Sequence, residues 1–251
     1  MNTQEVAEPN TVLRGLVGST VHGLHLEGSD DRDEMGVCIE PPEYVVGLQR
    51  FEQWTYRTQP EGKRSGPGDL DLTVYSLRKW VRLAANGNPT VLLLLFVPEE
   101  HLVVNTPIGR VMRMTLPGLL ASKRAGAAFL GYLTQQKERL LGTRGQLRVT
   151  RTELVERYGF DTKYAMHMLR LGYQGVEYLT TGQLSLPMRE PERSLVMSVR
   201  RGDVPLGDVL TSVAELEASL RGLQQTAELP DEPNREMLDS FLTQTYLNYW
   251  R

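Results

Sequence analysis

The chain has 251 residues, 40% apolar and 24% charged, which is enough for a substantial core in one large domain or two small ones and ordinary for a globular protein. A net charge of −3 gives no overall basic character of the kind that draws nucleic acid, although a local basic face stays open. The single cysteine, Cys38, excludes an internal disulfide and a cysteine-rich zinc site.

Met1 to Asn10 is polar and acidic, with no basic region followed by an apolar stretch, so it does not read as a signal peptide. Val12 to Val17 is an apolar run broken by Arg14 and Gly15, and it ends in Gly18-Ser19. A short polar segment with His22 and His25 comes next. Then come Asp31-Arg32-Asp33 and the apolar positions Met35, Val37 and Ile39. The expected order is strand, glycine turn, short helix, loop, second strand. Glu40-Pro-Pro-Glu43 ends that strand, because two prolines cannot continue a ladder. Tyr44 to Tyr56 predicts a short helix and then a strand around Phe51, Trp54 and Tyr56. Gln59 to Gly68 is rich in proline, glycine and charge without apolar anchors, and is expected to be a mobile hairpin tip. Its Lys63 and Arg64 are either solvated or within reach of a substrate.

Asp69 to Tyr75 alternates, with Leu70, Leu72 and Val74 on one face and Asp69, Asp71, Thr73 and Tyr75 on the other. Ser76 is a candidate N-cap for an amphipathic helix over Leu77–Ala85, which Asn86-Gly87 ends. Lys79 on it is expected at the surface. Val91 to Phe96 is apolar all round and reads as a buried helix or a short buried strand. The longest apolar run, Val91 to Val97, is too short to span a bilayer, and a cytoplasmic location is expected. The composition changes near Pro107. Helices are expected over Ile108–Met114, Ser122–Leu141, Thr152–Arg157, Thr162–Leu171, Val176–Thr180, Glu192–Arg200, Leu206–Leu223 and Arg235–Tyr249, punctuated by glycine and proline.

Two stretches carry chemistry. Asp31 and Asp33 are two apart, so on a strand they project from the same face while Arg32 points the other way. Paired carboxylates repel each other, and a divalent metal is the simplest way to hold them together. Both are hard oxygen ligands, which suits Mg²⁺. Gly18 lets a backbone approach closely, and the N–H groups after it can meet an anion. The two features together point to a nucleoside triphosphate held through a metal. The second stretch is Asp161 to Leu171. Lys163, His167 and Arg170 stand at i, i+4 and i+7 and share one helical face. They are either a solvated basic stripe or a cationic wall against phosphate.

A Gly-Ser turn followed on the next strand by a spaced Asp-x-Asp resembles the signature of the polymerase-β-type nucleotidyltransferases. That family requires a third carboxylate on a later strand, for which Asp71 is the better candidate and Asp69 the reserve. The resemblance narrows with Asp71-x-x-x-Tyr-Ser-Leu-Arg-Lys-Trp80, Gly87-Asn-Pro-Thr90, Lys163-x-x-x-His-x-x-Arg-Leu171, Thr181-Gly-x-Leu184 and Arg200-x-Gly202, in that order. These are similar to the RNA-repair-associated branch of the superfamily, over about Val12 to Val209. There are departures: Asp30 stands in the place of a serine, and Met35 in the place of an arginine whose role cannot be carried over.

The resemblance implies an α+β fold. A nucleotidyltransferase core over residues 1–104, a small mixed sheet with helices, would precede a mostly α-helical domain over 105–251 that completes the nucleotide cleft. It implies metal-dependent, template-independent transfer of a nucleotide to an RNA end. Asp31 and Asp33 would bridge two Mg²⁺ ions and Asp71 would complete the ion nearer the acceptor. Gly18 and Ser19 would hold phosphates, with Lys163, His167 and Arg170 opposite the aspartates. Transfer to a protein or small molecule, and nucleotide sensing without catalysis, stay open as alternatives. The oligomeric state is not legible.

Overall fold

The computed structural model describes residues 3–26, 28, 30–60, 62–63, 65–143 and 151–251. Arg64 of the hairpin tip therefore lies outside the described residues. The fold is α+β, with the sheet in the N-terminal part and helices dominating from Pro107 onward. The chain packs as two units, residues 1–120 with 233–251, and residues 121–232. The division falls later than the change of composition near residue 105, and the last helix returns to the first unit.

The first unit begins with α1 (Thr3–Ala7) and β1 (Thr11–Leu16), then α2 (Gly18–Val21), β2 (Arg32–Cys38) and α3 (Pro42–Val45). The hairpin β3 (Gln53–Arg57) and β4 (Leu70–Ser76) leads into α4 (Leu77–Ala85) and α5 (Pro89–Leu92). Ser76 caps α4 by accepting the Lys79 N–H, and Asn88 caps α5 by accepting from Thr90 and Val91. The apolar run after Asn88 is thus a buried helical turn, continued by a 3₁₀ turn over Leu93–Leu95. β5 (Leu102–Asn105) and α6 (Pro107–Leu120) complete the N-terminal part. β5 is only four residues long and half exposed, so it carries no alternation by which to find it.

The strands lie in the order β3-β4-β2-β1-β5. β2 and β4 are parallel and the other neighbours antiparallel. One face buries Cys38, Leu72 and Val74 with Val6 and Ala7 of α1, Tyr44, Phe51 and Trp54. The other face carries Asp33, Met35 and Val37 beside Asp71, Thr73 and Tyr75, because paired residues of a parallel ladder point the same way.

The second unit holds α7 (Lys123–Leu140), α8 (Thr152–Tyr158), α9 (Thr162–Thr181), α10 (Glu192–Arg201) and α11 (Leu206–Thr226). The segments expected over Thr162–Leu171 and Val176–Thr180 are one helix, since Gly172 and Gly175 lie inside it without ending it. Both glycines serve packing. A Cβ on Gly172 would come 2.7 Å from Leu216 of α11, and one on Gly175 would come 2.8 Å from Phe129 of α7. Helices can approach this closely only where a side chain is missing. α12 (Arg235–Tyr249) then rejoins the first unit. There Tyr246 Oη accepts the Arg78 N–H at 3.0 Å, Trp250 Nε1 donates to the Glu40 carbonyl at 3.1 Å, and Tyr249 Oη donates to Asn10 at 3.1 Å. Among the described residues no helix is long and apolar enough to cross a membrane.

Candidate active site

At the end of β1 the chain turns through Gly18, whose φ is +71°. A Cβ there would lie 2.1 Å from Asp33 Oδ2. Only glycine meets both conditions, a left-handed backbone and a carboxylate pressed against it. The Val17 N–H donates to the Asp33 carbonyl at 2.9 Å, so the turn is fastened to the strand that bears the aspartates. Ser19 comes next at the start of α2, half-buried, and its carbonyl accepts the Leu24 N–H at 3.0 Å.

The parallel register pairs Asp33 with Asp71, which puts both carboxylates on one face of the sheet. Asp31 stands two positions before Asp33. One oxygen from each of the three lies within 4.8 Å of the others, and all three side chains are partly exposed. Three like charges at this spacing repel, and a cation is what makes such an arrangement favourable. The donor set is three hard oxygens that solvent can still reach, beside a turn kept free of a side chain. These residues fit a hard divalent ion of the Mg²⁺ kind.

Asp69 is occupied elsewhere. Its Oδ2 accepts the Gly66 N–H at 2.9 Å and its Oδ1 accepts the Thr58 hydroxyl at 2.9 Å. The Gly66 N–H is the first cause holding its carboxyl below the usual range. Asp69 closes the hairpin, and the geometry brings Asp71, not Asp69, to Asp31 and Asp33.

Asp71 has two partners that the sequence did not suggest. Arg57 Nε donates to its Oδ1 at 2.8 Å, and Ser65 Oγ donates to its Oδ2 at 2.8 Å. The Arg57 guanidinium also donates to Ser65 Oγ at 2.8 Å and to the Lys63 carbonyl at 3.4 Å. Its hold on its proton is strengthened first by the bond to Asp71, then by the charges of Asp71, Asp31 and Asp69. Within the hairpin tip, which has no apolar anchors, Lys63 and Ser65 are tied to Arg57 and Asp71 by these polar contacts. The usable signal was register: the antiparallel pairing of β3 with β4 places Arg57 opposite Asp71.

Arg32 faces away from the triad and pairs with Glu34, which Arg14 also holds. Glu34 is buried, so this is a structural clamp on the far face. Asp30 is buried too. It accepts the Leu26 N–H at 2.8 Å and lies 3.4 Å from His25 Nδ1, anchoring the loop that leads to Asp31. His22 is buried. Lys79 donates to Gln53 at 2.9 Å and lies 3.5 Å from Glu52.

Lys163, His167 and Arg170 all lie on α9 in the second unit, half-buried rather than fully solvated. Asp161 caps that helix by accepting the Lys163 and Tyr164 N–H groups, and Arg151 pairs with it at 3.1 Å. Burial is the first cause that holds His167 well below its usual range, followed by the charges of Arg170, Lys163, Arg151 and Arg200. This environment favours the neutral imidazole over the cation. Burial pushes Arg170 down to about 10, which leaves it charged, and it donates to Gln174 at 2.9 Å. Sequence periodicity identified this face. It did not reveal that Arg200, buried on α10, adds to the same positive field.

The family model described as RlaP, RNA repair pathway DNA polymerase beta family, matches residues 1–244. Among curated proteins none matches. Among solved structures, the chain is similar to a nucleotidyltransferase-like protein from Exiguobacterium sibiricum at 11% identity, over 87% of this chain and 70% of that one. The TM-score of 0.29 is too low to carry an argument.

Proposed function

The chain belongs to the RNA repair pathway DNA polymerase beta family and is a nucleotidyltransferase, and from that premise we propose that it moves a nucleotide from a nucleoside triphosphate to an RNA end in a metal-dependent, template-independent reaction. The observation that carries the proposal is the convergence of Asp31, Asp33 and Asp71 beside the side-chain-free turn at Gly18. In such a transfer an acceptor hydroxyl loses its proton to solvent and its oxygen bonds to the α-phosphorus, the bond to the bridging oxygen breaks, and pyrophosphate leaves with that electron pair.

Asp31 and Asp33 would hold Mg²⁺, with Asp71 completing the ligand set. Bound Mg²⁺ supplies Lewis acidity toward the attacking hydroxyl and the phosphoryl oxygens. The rest of the work belongs to the chain's own groups. Gly18 lets the phosphates approach the backbone, and the Ser19 hydroxyl donates to them. Lys163 and Arg170 are read as cations for phosphate groups, and His167 as a neutral donor or acceptor among them. Arrangements of this kind act through positioning and charge stabilisation. RNA as acceptor is supported by the family description and by these cations on a chain that is otherwise mildly acidic.

The test is incubation with each α-labelled nucleoside triphosphate, Mg²⁺ and either total RNA or total protein. Label in RNA that disappears with a chelator and with Asp33→Asn supports the proposal. Label in protein or in a small molecule moves the acceptor. Nucleotide binding with no label in any fraction makes the chain a sensor.

A further inference from the structure

The Arg57–Asp71–Ser65 contact joins a cation to a residue read as a metal ligand, and the proposed reaction gives that cation no part. Both oxygens of Asp71 accept a hydrogen bond from the β3–β4 hairpin, one from Arg57 Nε and one from Ser65 Oγ. The Arg57 side chain is 43% exposed, so it is not locked in place by packing. Among the described residues its other hydrogen-bond partners are a hydroxyl and a carbonyl of the same hairpin, which it can leave without stranding a buried charge.

We propose that Arg57 is a phosphate-binding residue of the site that serves as the counter-ion of Asp71 until metal and nucleotide arrive. The inference rests on the reading of the three aspartates as a metal site. Two cations cannot share Asp71 without repelling each other. A divalent ion on its carboxylate therefore loosens the guanidinium. The incoming triphosphate supplies new partners for it, since a planar fork of N–H donors matches phosphate oxygens as well as it matches a carboxylate. Arg57 thus opposes metal binding when no phosphate is present and supports phosphate binding once metal is there. Ser65 moves with it, because the guanidinium and the serine hydroxyl bond to each other as well as to Asp71.

That opposition gives a crossed signature, measurable on the full-length chain without turnover. Mn²⁺ alone is titrated and the free ion counted by electron paramagnetic resonance. Inorganic pyrophosphate binding is then measured by calorimetry in the presence of Mg²⁺. Arg57→Gln is expected to bind Mn²⁺ about two- to fivefold more tightly than the parent, the range for an exposed ion pair removed. It is expected to bind pyrophosphate about tenfold more weakly or worse, the loss of a charged hydrogen bond. Arg57→Lys, which keeps the charge, should stay near the parent for Mn²⁺ and recover part of the pyrophosphate affinity. Ser65→Ala should tighten Mn²⁺ in the same direction as Arg57→Gln. An Arg57→Gln variant unchanged in both measurements overturns the proposal. Weaker Mn²⁺ binding also overturns it, because Arg57 would then merely hold Asp71 in shape. If Mn²⁺ binds the parent no better than it binds Asp71→Asn, the metal reading itself falls, and the inference falls with it.

Discussion

Replacing Glu40 by methionine should stabilise the first unit, and more so as pH rises. Glu40 is fully buried, and neither carboxyl oxygen has a hydrogen-bond partner. The Tyr246 hydroxyl and the Leu77 N–H lie close enough to favour its charged form without offsetting the burial, and Tyr246 also accepts the Arg78 N–H. Burial is the first cause that raises the Glu40 carboxyl above its usual range. The same burial, with the Glu40 charge second, raises the Cys38 thiol and the Tyr246 hydroxyl. A neutral polar group left unsatisfied costs about 1–3 kcal/mol, and an unbranched thioether of similar length removes that cost without leaving a cavity. The pH dependence has a definite sign. A carboxyl whose folded pKa is raised keeps its proton in the folded state after the unfolded state has released it. Stability is then fully present below the ordinary glutamate value and falls as pH rises toward the folded pKa, by up to about 1.4 kcal/mol per pH unit. Urea unfolding from pH 4 to pH 8 should show that slope in the parent and a reduced slope in Glu40→Met, with a melting temperature higher by about 2–10 °C near neutrality. A variant that is less stable, or that keeps the parent's slope, would refute the reasoning by showing that Glu40 is satisfied in solution.

Five further substitutions probe the site. Asp31→Asn and Asp33→Asn should each abolish transfer while leaving the metal-free melting temperature unchanged or slightly higher, because removing one member of a like-charge cluster relieves repulsion; a melt in chelator alongside the labelling assay checks both halves. Gly18→Ala should lower the melting temperature by about 2–8 °C, from a left-handed backbone penalty of about 1–2 kcal/mol. It should also erase metal-induced stabilisation, since the new Cβ displaces the Asp33 carboxylate; retained metal stabilisation would show that the turn gives way without cost. Lys163→Ala and Arg170→Ala should each weaken triphosphate binding by about 1.5–3 kcal/mol, read by calorimetry. Unchanged nucleotide binding with lost RNA binding and a smaller salt slope would assign them to the acceptor backbone, and no change in either would make them structural.

Much of the site was legible because it is local. Gly18-Ser19 and Asp31-x-Asp33 sit within one short stretch, and strand periodicity alone puts both carboxylates on one face. Asp71 needed family resemblance to be sought and alternation to be placed. Its pairing with Asp33 comes from a parallel register that no single stretch contains. Arg57 stayed hidden for the same reason, since it meets Asp71 across a hairpin whose tip carries no apolar pattern. His167 was legible by position and not by environment. Its spacing with Lys163 and Arg170 marked a basic face, but burial among four other cations favours its neutral form. The late boundary between the units was equally invisible, because α6 shares the helical composition of the second unit while packing against β1 and β5. The return of α12 is a tertiary choice, made through Tyr246, Tyr249 and Trp250.

That return makes the unit that carries the three aspartates discontinuous, which bears on the order of folding. Residues 121–232 form a loop between two parts of one core. Left unfolded, the loop imposes a closure entropy that grows with the logarithm of its length. Folded, it brings its own ends together, since the Lys123 N–H donates to the Pro230 carbonyl at 2.8 Å and the Arg124 N–H to the Asp231 carbonyl at 3.2 Å. Shrinking the effective loop about tenfold in this way lowers the closure cost by about 2 kcal/mol. The segments on either side then meet at the bond from the Asn234 N–H to the Leu119 carbonyl, 2.9 Å. The helical insert thus acts as a splint for the sheet unit that carries the aspartates. A substitution that loosens α7 against α9 would be felt in the assembly of the other unit's core.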